Sequence, residues 1–567
     1  MSTPKIRLRY LPFIAVLAIV FASCSGKKSN VPVPADAAVV FHFDGASLNS
    51  KLSWDEIKSS EWFQKVKEQA ESNDEMAKKL MENPEESGLN TKSDFYFFLT
   101  TRGRGGYTAA VCNISDVKKF EDFVQKVSQG EKVEKKSGFS FIGEDDAVIT
   151  WNDKKLVFVA DNPEINSSAS FGGSSRYHRF EQDSLLAIAN EIHDLKGKKS
   201  LGNNSKFSSL LNDKGDMHFW VNAGSLYSNA MPAVLALTKI SLLFEGNIST
   251  GSLSFENGKI TIKGKNYYNK DIAAIYKKMG DKKLDEEMLK KIPAGTVAAA
   301  MAFSFPPEMI KEIITLLGVD GLANMALAET GLTIDDFIKA TKGDMLISVS
   351  DFAVTEKEKK IEMGSGEPYV YKTTEPDAKI LFATSIGEKS AFDRLTEAIK
   401  DMISKKAGEE ASAEIMNKVP YKLKDNWFVT GNDSVLMNNY GNAKTDHPFI
   451  SKIKGHPMGG FIDIQKFISG SKPSFANDSL ANIIADESIK TWQDIVFYGG
   501  EFKKDATESY GEINFVDKNT NSLKILNKYL GFIAVKFMEE EKRKKDEVKF
   551  LDEEIKIDNL NTFPINK

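Results

Sequence analysis

Gly251-Ser252-Leu253-Ser254-Phe255, followed across Asn257-Gly258 by Lys259-Ile260-Thr261-Ile262-Lys263-Gly264, spells out a β-hairpin. Side chains alternate in character along both runs, and Asn-Gly is the pair that most readily takes the positive φ angles of a two-residue hairpin turn. Late in the chain Gly511-Glu512-Ile513-Asn514-Phe515 echoes the first of these runs. Three more matches keep the same order. Pro34-Ala35-Asp36-Ala37-Ala38 and Pro293-Ala294-Gly295-Thr296-Val297 each open an apolar strand, and Ile114 with Phe120, at the join of a strand and a helix, answers to Ile386 with Phe392. Thr150-Trp151-Asn152-Asp153 answers to Thr430-Gly431-Asn432-Asp433. The offsets are 259 for the prolines, 272 for the helix phenylalanines, 280 for Asp153 and Asp433, and 260 for Phe255 and Phe515, all near half the chain beyond residue 23. An α+β fold follows, as two tandem related domains at 31–270 and 288–537, each a largely antiparallel sheet with helices packed on one face.

The remaining pattern fills in the halves. Ala37 to Phe43 reads as a strand, and Ser53-Trp54-Asp55-Glu56 has the capping-box spacing that predicts a helix start. The aromatic run Phe95-Tyr96-Phe97-Phe98-Leu99 predicts a strand covered on both faces, turning at Arg102-Gly103-Arg104-Gly105-Gly106 and returning from Tyr107. Val117, Phe120, Val124 and Val127 fall on one helical stripe, and Ala147–Trp151 with Leu156–Ala160 makes a hairpin. Two segments break the rhythm. Residues 161–210, rich in Ser, Asn and Gly, read as an insertion, and Lys357 to Lys360 with Gly364-Ser365-Gly366 predicts a mobile loop at 353–377. Leu523, Leu526, Leu530, Ile533 and Phe537 form a last helical stripe before a charged tail at 538–567.

Composition narrows the chemistry. The chain carries a formal charge of −5, and because residues 1–23 hold three basic and no acidic side chains, the rest stands at −8, which argues against nucleic acid as a partner. Two cysteines are present, Cys24 and Cys112, the second set among apolar residues of a strand, where an inert buried thiol is expected. There is no His-Glu-x-x-His and no P-loop. The six histidines, 42, 178, 193, 218, 447 and 456, lack metal-site spacing, so no metal and no cofactor is expected. Asp145-Asp146 and Asp335-Asp336 offer paired carboxylates, but neighbours in a strand face opposite ways and Asp336 sits three after Thr333, as a helix cap does. The best exposed recognition cluster is Arg176-Tyr177-His178-Arg179 in the insertion.

An address stands at the start. Lys5, Arg7 and Arg9 precede an apolar run from Leu11 to Ala22, too short to span a membrane, and Val20-Phe21-Ala22-Ser23-Cys24 places small residues before a cysteine. This resembles the bacterial lipobox, which implies a signal peptide over 1–23, lipidation of Cys24, and a tether over 24–30. With the Pro-Ala-Asp-Ala-Ala-Val-Val strand from Pro34 and the two related halves, the chain resembles a family of uncharacterised Bacteroidetes lipoproteins known as a domain of unknown function. That resemblance brings no catalytic residues. It implies an outer-membrane lipoprotein, and the basic Ser25-Gly26-Lys27-Lys28 implies that it faces the periplasm. The leading expectation is a non-enzymatic scaffold or binding protein with an envelope protein or glycan as partner. The alternatives are an enzyme or carrier for envelope glycan or lipid, with its site between the halves, and an envelope folding or assembly factor.

Overall fold

Among the described residues eighteen strands form one sheet, antiparallel at every pairing. The first ten are β1 (Val39–Phe43), β2 (Phe95–Arg102), β3 (Gly105–Asn113), β4 (Glu134–Lys136), β5 (Phe139–Glu144), β6 (Ala147–Trp151), β7 (Lys155–Asp161), β8 (Met217–Asn222), β9 (Ile248–Glu256) and β10 (Lys259–Tyr267). The other eight are β11 (Val297–Ser304), β12 (Thr341–Ile361), β13 (Tyr369–Ile386), β14 (Tyr421–Lys424), β15 (Trp427–Gly431), β16 (Met458–Asp463), β17 (Trp492–Lys503) and β18 (Ala506–Phe515). This computed structural model describes residues 31–561 apart from 70–74, 104, 129–131, 137, 163–177, 228–238, 294, 329, 362–367, 408–419 and 443–444.

In space the first half runs β4-β5-β6-β7-β3-β2-β1-β8-β9-β10. The second half runs β14-β15-β13-β12-β11-β16-β17-β18. Without the extra β4 and β5, the two orders are the same. Detail repeats too: Phe43 pairs with Phe95 and Met217, Phe303 pairs with Met345 and Met458, and the Asp44 and Ser304 amides each donate to the carbonyl across the pair, on Asp216 and Pro457.

The halves meet edge to edge where β10 pairs with β18 from Lys259↔Asn514 to Tyr267↔Ala506. Phe255, Ile260 and Phe515 are buried at this joint. Lys259–Glu512 at 3.4 Å and Lys265–Glu508 at 3.3 Å cross it. The helix Ser522–Asn561 leaves β18 and crosses to the helices of the first half, where Trp62 Nε1 donates to Asn527 Oδ1 at 3.2 Å and the Trp62 ring fills the space a Cβ at Gly531 would need. The junction where the enzyme alternative would put its site thus carries a strand pairing. Gly258 holds its turn at φ 68°, with the Lys518 backbone where a side chain would stand.

Along β2 and β3 alternate residues feed two cores. Tyr96, Phe98, Tyr107 and Val111 join one, and Phe95, Ala110 and Cys112 the other. The helix Gln182–His193 packs Leu185, Ile188 and Ile192 into the first core, while Val117–Val127 packs Phe120, Phe123 and Val124 into the second. Helices therefore cover both faces here rather than the one face expected, because the aromatic run leaves no solvent side. Burial pushes the Cys112 thiol up to about 12, which keeps it protonated and inert. Both capping boxes read from sequence are present, Ser53 with Glu56 and Thr333 with Asp336.

Several sequence expectations change. Phe120 and Phe392 hold the same place in the helices Val117–Val127 and Lys389–Ala407, but Phe255 lies on β9 and Phe515 on β18, and Thr150 on β6 and Thr430 on β15, each one strand out of step. Neighbouring antiparallel strands share one alternation, so a short match slides by a strand without penalty. Within the segment 161–210, read from sequence as an insertion, Phe180, Leu201, Phe207 and Leu210 belong to the first core. The mobile loop expected at 353–377 is paired strand from Ala353↔Asp377 to Ile361↔Tyr369, because opposite charges and β-branched or aromatic residues face each other across it. Position 538 is no boundary, since the helix Ser522–Asn561 runs through it.

Candidate functional site

The sheet end that carries the predicted recognition cluster also carries a groove. Arg102 closes β2, Gly103 turns at φ 62°, and Gly105 opens β3 pressed against the His178 carbonyl, 2.7 Å from where its Cβ would be. Phe180 stands edge-on to Tyr107 at 6.5 Å, and His178 edge-on to Phe180 at 5.9 Å. His178 and Arg179 are thus exposed beside the base of β3, while Arg176 and Tyr177 lie outside the described residues, as does Cys24. Next to them is a groove of about 700 Å³ between Pro34–Asp36, β2–β3 and the end of the helix Gln182–His193. Arg102, Tyr107, Asp36, Asn190, Glu191 and Lys199 give it its polar character.

Tyr107 is fully buried, and its hydroxyl meets no hydrogen-bonding partner among the described residues. Thr100 Oγ1, its cross-strand neighbour, is equally buried and falls short of hydrogen-bonding geometry. Burial pushes the phenol up to about 12 against the pull of Thr100 and Arg102, while Asp36 and Glu191 push the same way as burial. The Arg102 guanidinium lies 5.7 Å from the Tyr107 ring centre and pairs with Glu191 at 3.0 Å. Sequence reading missed this site, because Asp36, Arg102 and Glu191 have no spacing in common and meet only through β1, β2 and the helix.

His193 ends that helix. Its ring stacks on Phe139 at 4.2 Å and Nε2 meets Thr150 Oγ1 at 3.0 Å. Burial, and then Lys155, lower its pKa from 6.5 to about 4. Folding therefore favours the neutral ring: stability is complete above pH 6.5 and is lost as pH falls towards 4, by about 3 kcal/mol at the limit for a shift of this size. Urea titrations across that range should show the slope, and His193→Gln should flatten it.

His42 on β1 and His218 on β8 face each other with Nδ1 atoms 3.0 Å apart, in a row that runs Tyr96, His42, His218, Ser252 across four strands. Asp94 Oδ1 lies 3.5 Å from His42 Nε2. The same lattice positions in the second half are Leu346, Ala302, Gly459 and Tyr498, so the sheet itself does not require the pair. Both rings are buried, at 4% and 3% exposure, and the groove does not reach them. The buried carboxylate of Asp216, two residues away, is saturated by Ser47 Oγ, Lys51 Nζ and the Phe255 amide.

The other candidates have settled partners. His447 Nε2 meets the Pro293 carbonyl at 3.1 Å, His456 pairs with Glu501, and Asp336 is taken by Thr333 and Arg394. Among the described residues no three side chains gather as metal ligands would.

The most exposed construction is the outer part of β12 and β13. The strands leave the sheet at a bulge where Asp351 takes φ 51°, and the helix Ile464–Ser471 braces the base, with Phe352 and Phe467 rings 4.8 Å apart and Gly470 against the Phe352 carbonyl. Beyond it Ala353–Ile361 and Tyr369–Asp377 pair only with each other among the described residues, an arm of about 30 Å at roughly 3.3 Å per residue. One face is held by Lys357 and Lys359 on Glu375, the other by Lys372 on Glu356. Near the tip Ile361, Tyr369 and Val370 are exposed at 48, 60 and 46%, and the Tyr369 ring stacks on Tyr371 at 6.2 Å.

A family model described as "Domain of unknown function (DUF4836)" matches residues 29–353, more than half of the chain. No curated protein matches. Three solved structures of TP0453, in crystal forms I, IV and III, match 44% of this chain and 80, 84 and 86% of theirs, at 10, 11 and 11% identity. Their TM-scores of 0.23, 0.23 and 0.24 are too low to bear on the fold.

Proposed function

The chain belongs to the DUF4836 family, and on that footing we propose that it is a lipid-held envelope protein that works as a scaffold, binding an envelope protein through the β12–β13 arm and catalysing nothing. In this reading residues 1–23 are removed, Cys24 carries the lipid, the protein faces the periplasm from the outer membrane of a Bacteroidetes cell, and the two like-wired halves are a tandem duplication. The arm carries the proposal. It presents two rows of backbone N–H and C=O groups without strand partners among the described residues, beside an aromatic tip, which is the chemistry of recognition by strand addition. The matching β2–β3 pair of the first half ends in a tight turn, so the sheet does not need the arm for its own closure.

The first half also supplies the test. Residues 354–376 are replaced by the four residues Arg102-Gly103-Arg104-Gly105, and full-length and shortened proteins are compared in intact cells. The expected result is an unchanged melting temperature with loss of one discrete cross-linked protein partner. Retention of that partner by the shortened protein overturns the reading, and capture of glycan alone replaces it with a glycan-binding one.

A further inference from the structure

The groove beside the tether-proximal strand is independent of the arm, and its polar groups are placed as a receptor's. Arg102, Tyr107, Asn190 and Lys199, four residues that carry hydrogen-bond donors, are among those that line it. A phenol fully buried without a hydrogen bond is a defect that folding alone gives no reason to keep, since phenylalanine would fill the same space. The guanidinium beside that ring pairs with Glu191, and the two side chains are 38 and 59% exposed. Exposed pairs of this kind contribute little and exchange easily. Glu191 therefore occupies the position that an incoming carboxylate would take.

We propose that the groove binds the free C-terminal carboxylate of a short peptide, which displaces Glu191 from Arg102 and accepts the otherwise unmatched hydrogen bond of Tyr107. Carboxylate recognition follows from the donor set, because arginine binds carboxylates with two parallel hydrogen bonds. A peptide follows from the rest of the lining. Asp36 and Asp194 in the lining oppose a polyanion, Leu195 offers apolar contact to a side chain, and a volume of about 700 Å³ suits a small ligand. Glu191 then acts as a built-in competitor, and the ligand's entry uncovers the Tyr107 ring as the guanidinium turns outward.

Fluorescence anisotropy on the detergent-solubilised full chain tests this with an N-terminally labelled pool of mixed tripeptides, as free acids and as carboxamides, and with glucuronate as competitor. The acids should bind on the order of tenfold tighter than the amides, the loss expected for one charge-assisted contact. Arg102→Gln should lose a similar factor. Tyr107→Phe should weaken binding severalfold while leaving the melting temperature level or higher, and Glu191→Gln should tighten binding. The last result separates the proposal from a purely structural pair, for which breaking the Arg102–Glu191 contact cannot improve affinity. Equal binding of acids and amides, no binding of either, weaker binding by Glu191→Gln, or displacement by glucuronate as effective as by peptide acids overturns it.

Discussion

Replacing Cys24 by alanine should move the protein from the membrane fraction to the soluble fraction, with membrane partition falling on the order of a hundredfold or more. The size of the effect comes from the hydrocarbon. Each buried methylene contributes roughly 0.8 kcal/mol, one acyl chain gives only reversible attachment, and two or more give a hold that survives washing. Among the described residues no helix is long and apolar enough to cross a membrane. On the proposed reading the polar Ser25-Gly26-Lys27-Lys28-Ser29-Asn30 is the tether between the lipid and Val31, the first described residue. Mass spectrometry of the mature amino terminus should find acylated Cys24. An unmodified terminus, cleavage at another position, or an alanine variant that stays on the membrane removes the lipid from the account.

Phe515→Ala should destabilise the protein by about 3–5 kcal/mol, the range for deleting a buried aromatic ring, and should uncouple the halves. Phe515 is fully buried at the joint, lies tilted against the Trp492 ring with centroids 4.7 Å apart, and shares its cluster with Phe255 and Ile260 of the first half and with Leu523 and Leu526 of the last helix. One ring thus closes the strand pairing and seats the helix that crosses it. Urea unfolding followed by tryptophan fluorescence should pass from one transition to two, because Trp151 and Trp220 report the first half and Trp427 the second. Phe537→Ala, at 55% exposure, is the control and should shift the midpoint little. If both variants behave alike, the joint does not couple the halves.

The hairpins and caps were legible because their signals are local. Asn257-Gly258, the Ser53–Glu56 box and the Phe95–Leu99 run each predict their own few residues, and each stands as an element in the structure. The doubled wiring was legible in outline only. Ile114 with Phe120 and Ile386 with Phe392 mark matching joins, but the other repeats drift by a strand because alternation carries no label of which strand it belongs to. The arm was misread for the opposite reason. Lysine, glutamate and glycine read as loop, while the pairing that orders Lys359 against Tyr371 and Glu358 against Lys372 depends on a strand more than ten residues away. The groove was not legible at all, since the proposed receptor role of Tyr107 depends on its being buried beside Arg102 without a hydrogen-bonding partner among the described residues. Of the predicted cluster, His178 and Arg179 border that groove through Phe180, a neighbourhood set by tertiary packing.

The scaffold reading is tested most directly by a photo-cross-linking residue at Tyr369, in living cells, on the chain with Cys24 intact. The expected result is one discrete protein adduct at Tyr369, absent when the same residue replaces the equally exposed Leu530, and lost when Cys24→Ala takes the arm away from the membrane. Adducts at Leu530 equal to those at Tyr369, or lipid or glycan adducts without protein, would contradict it.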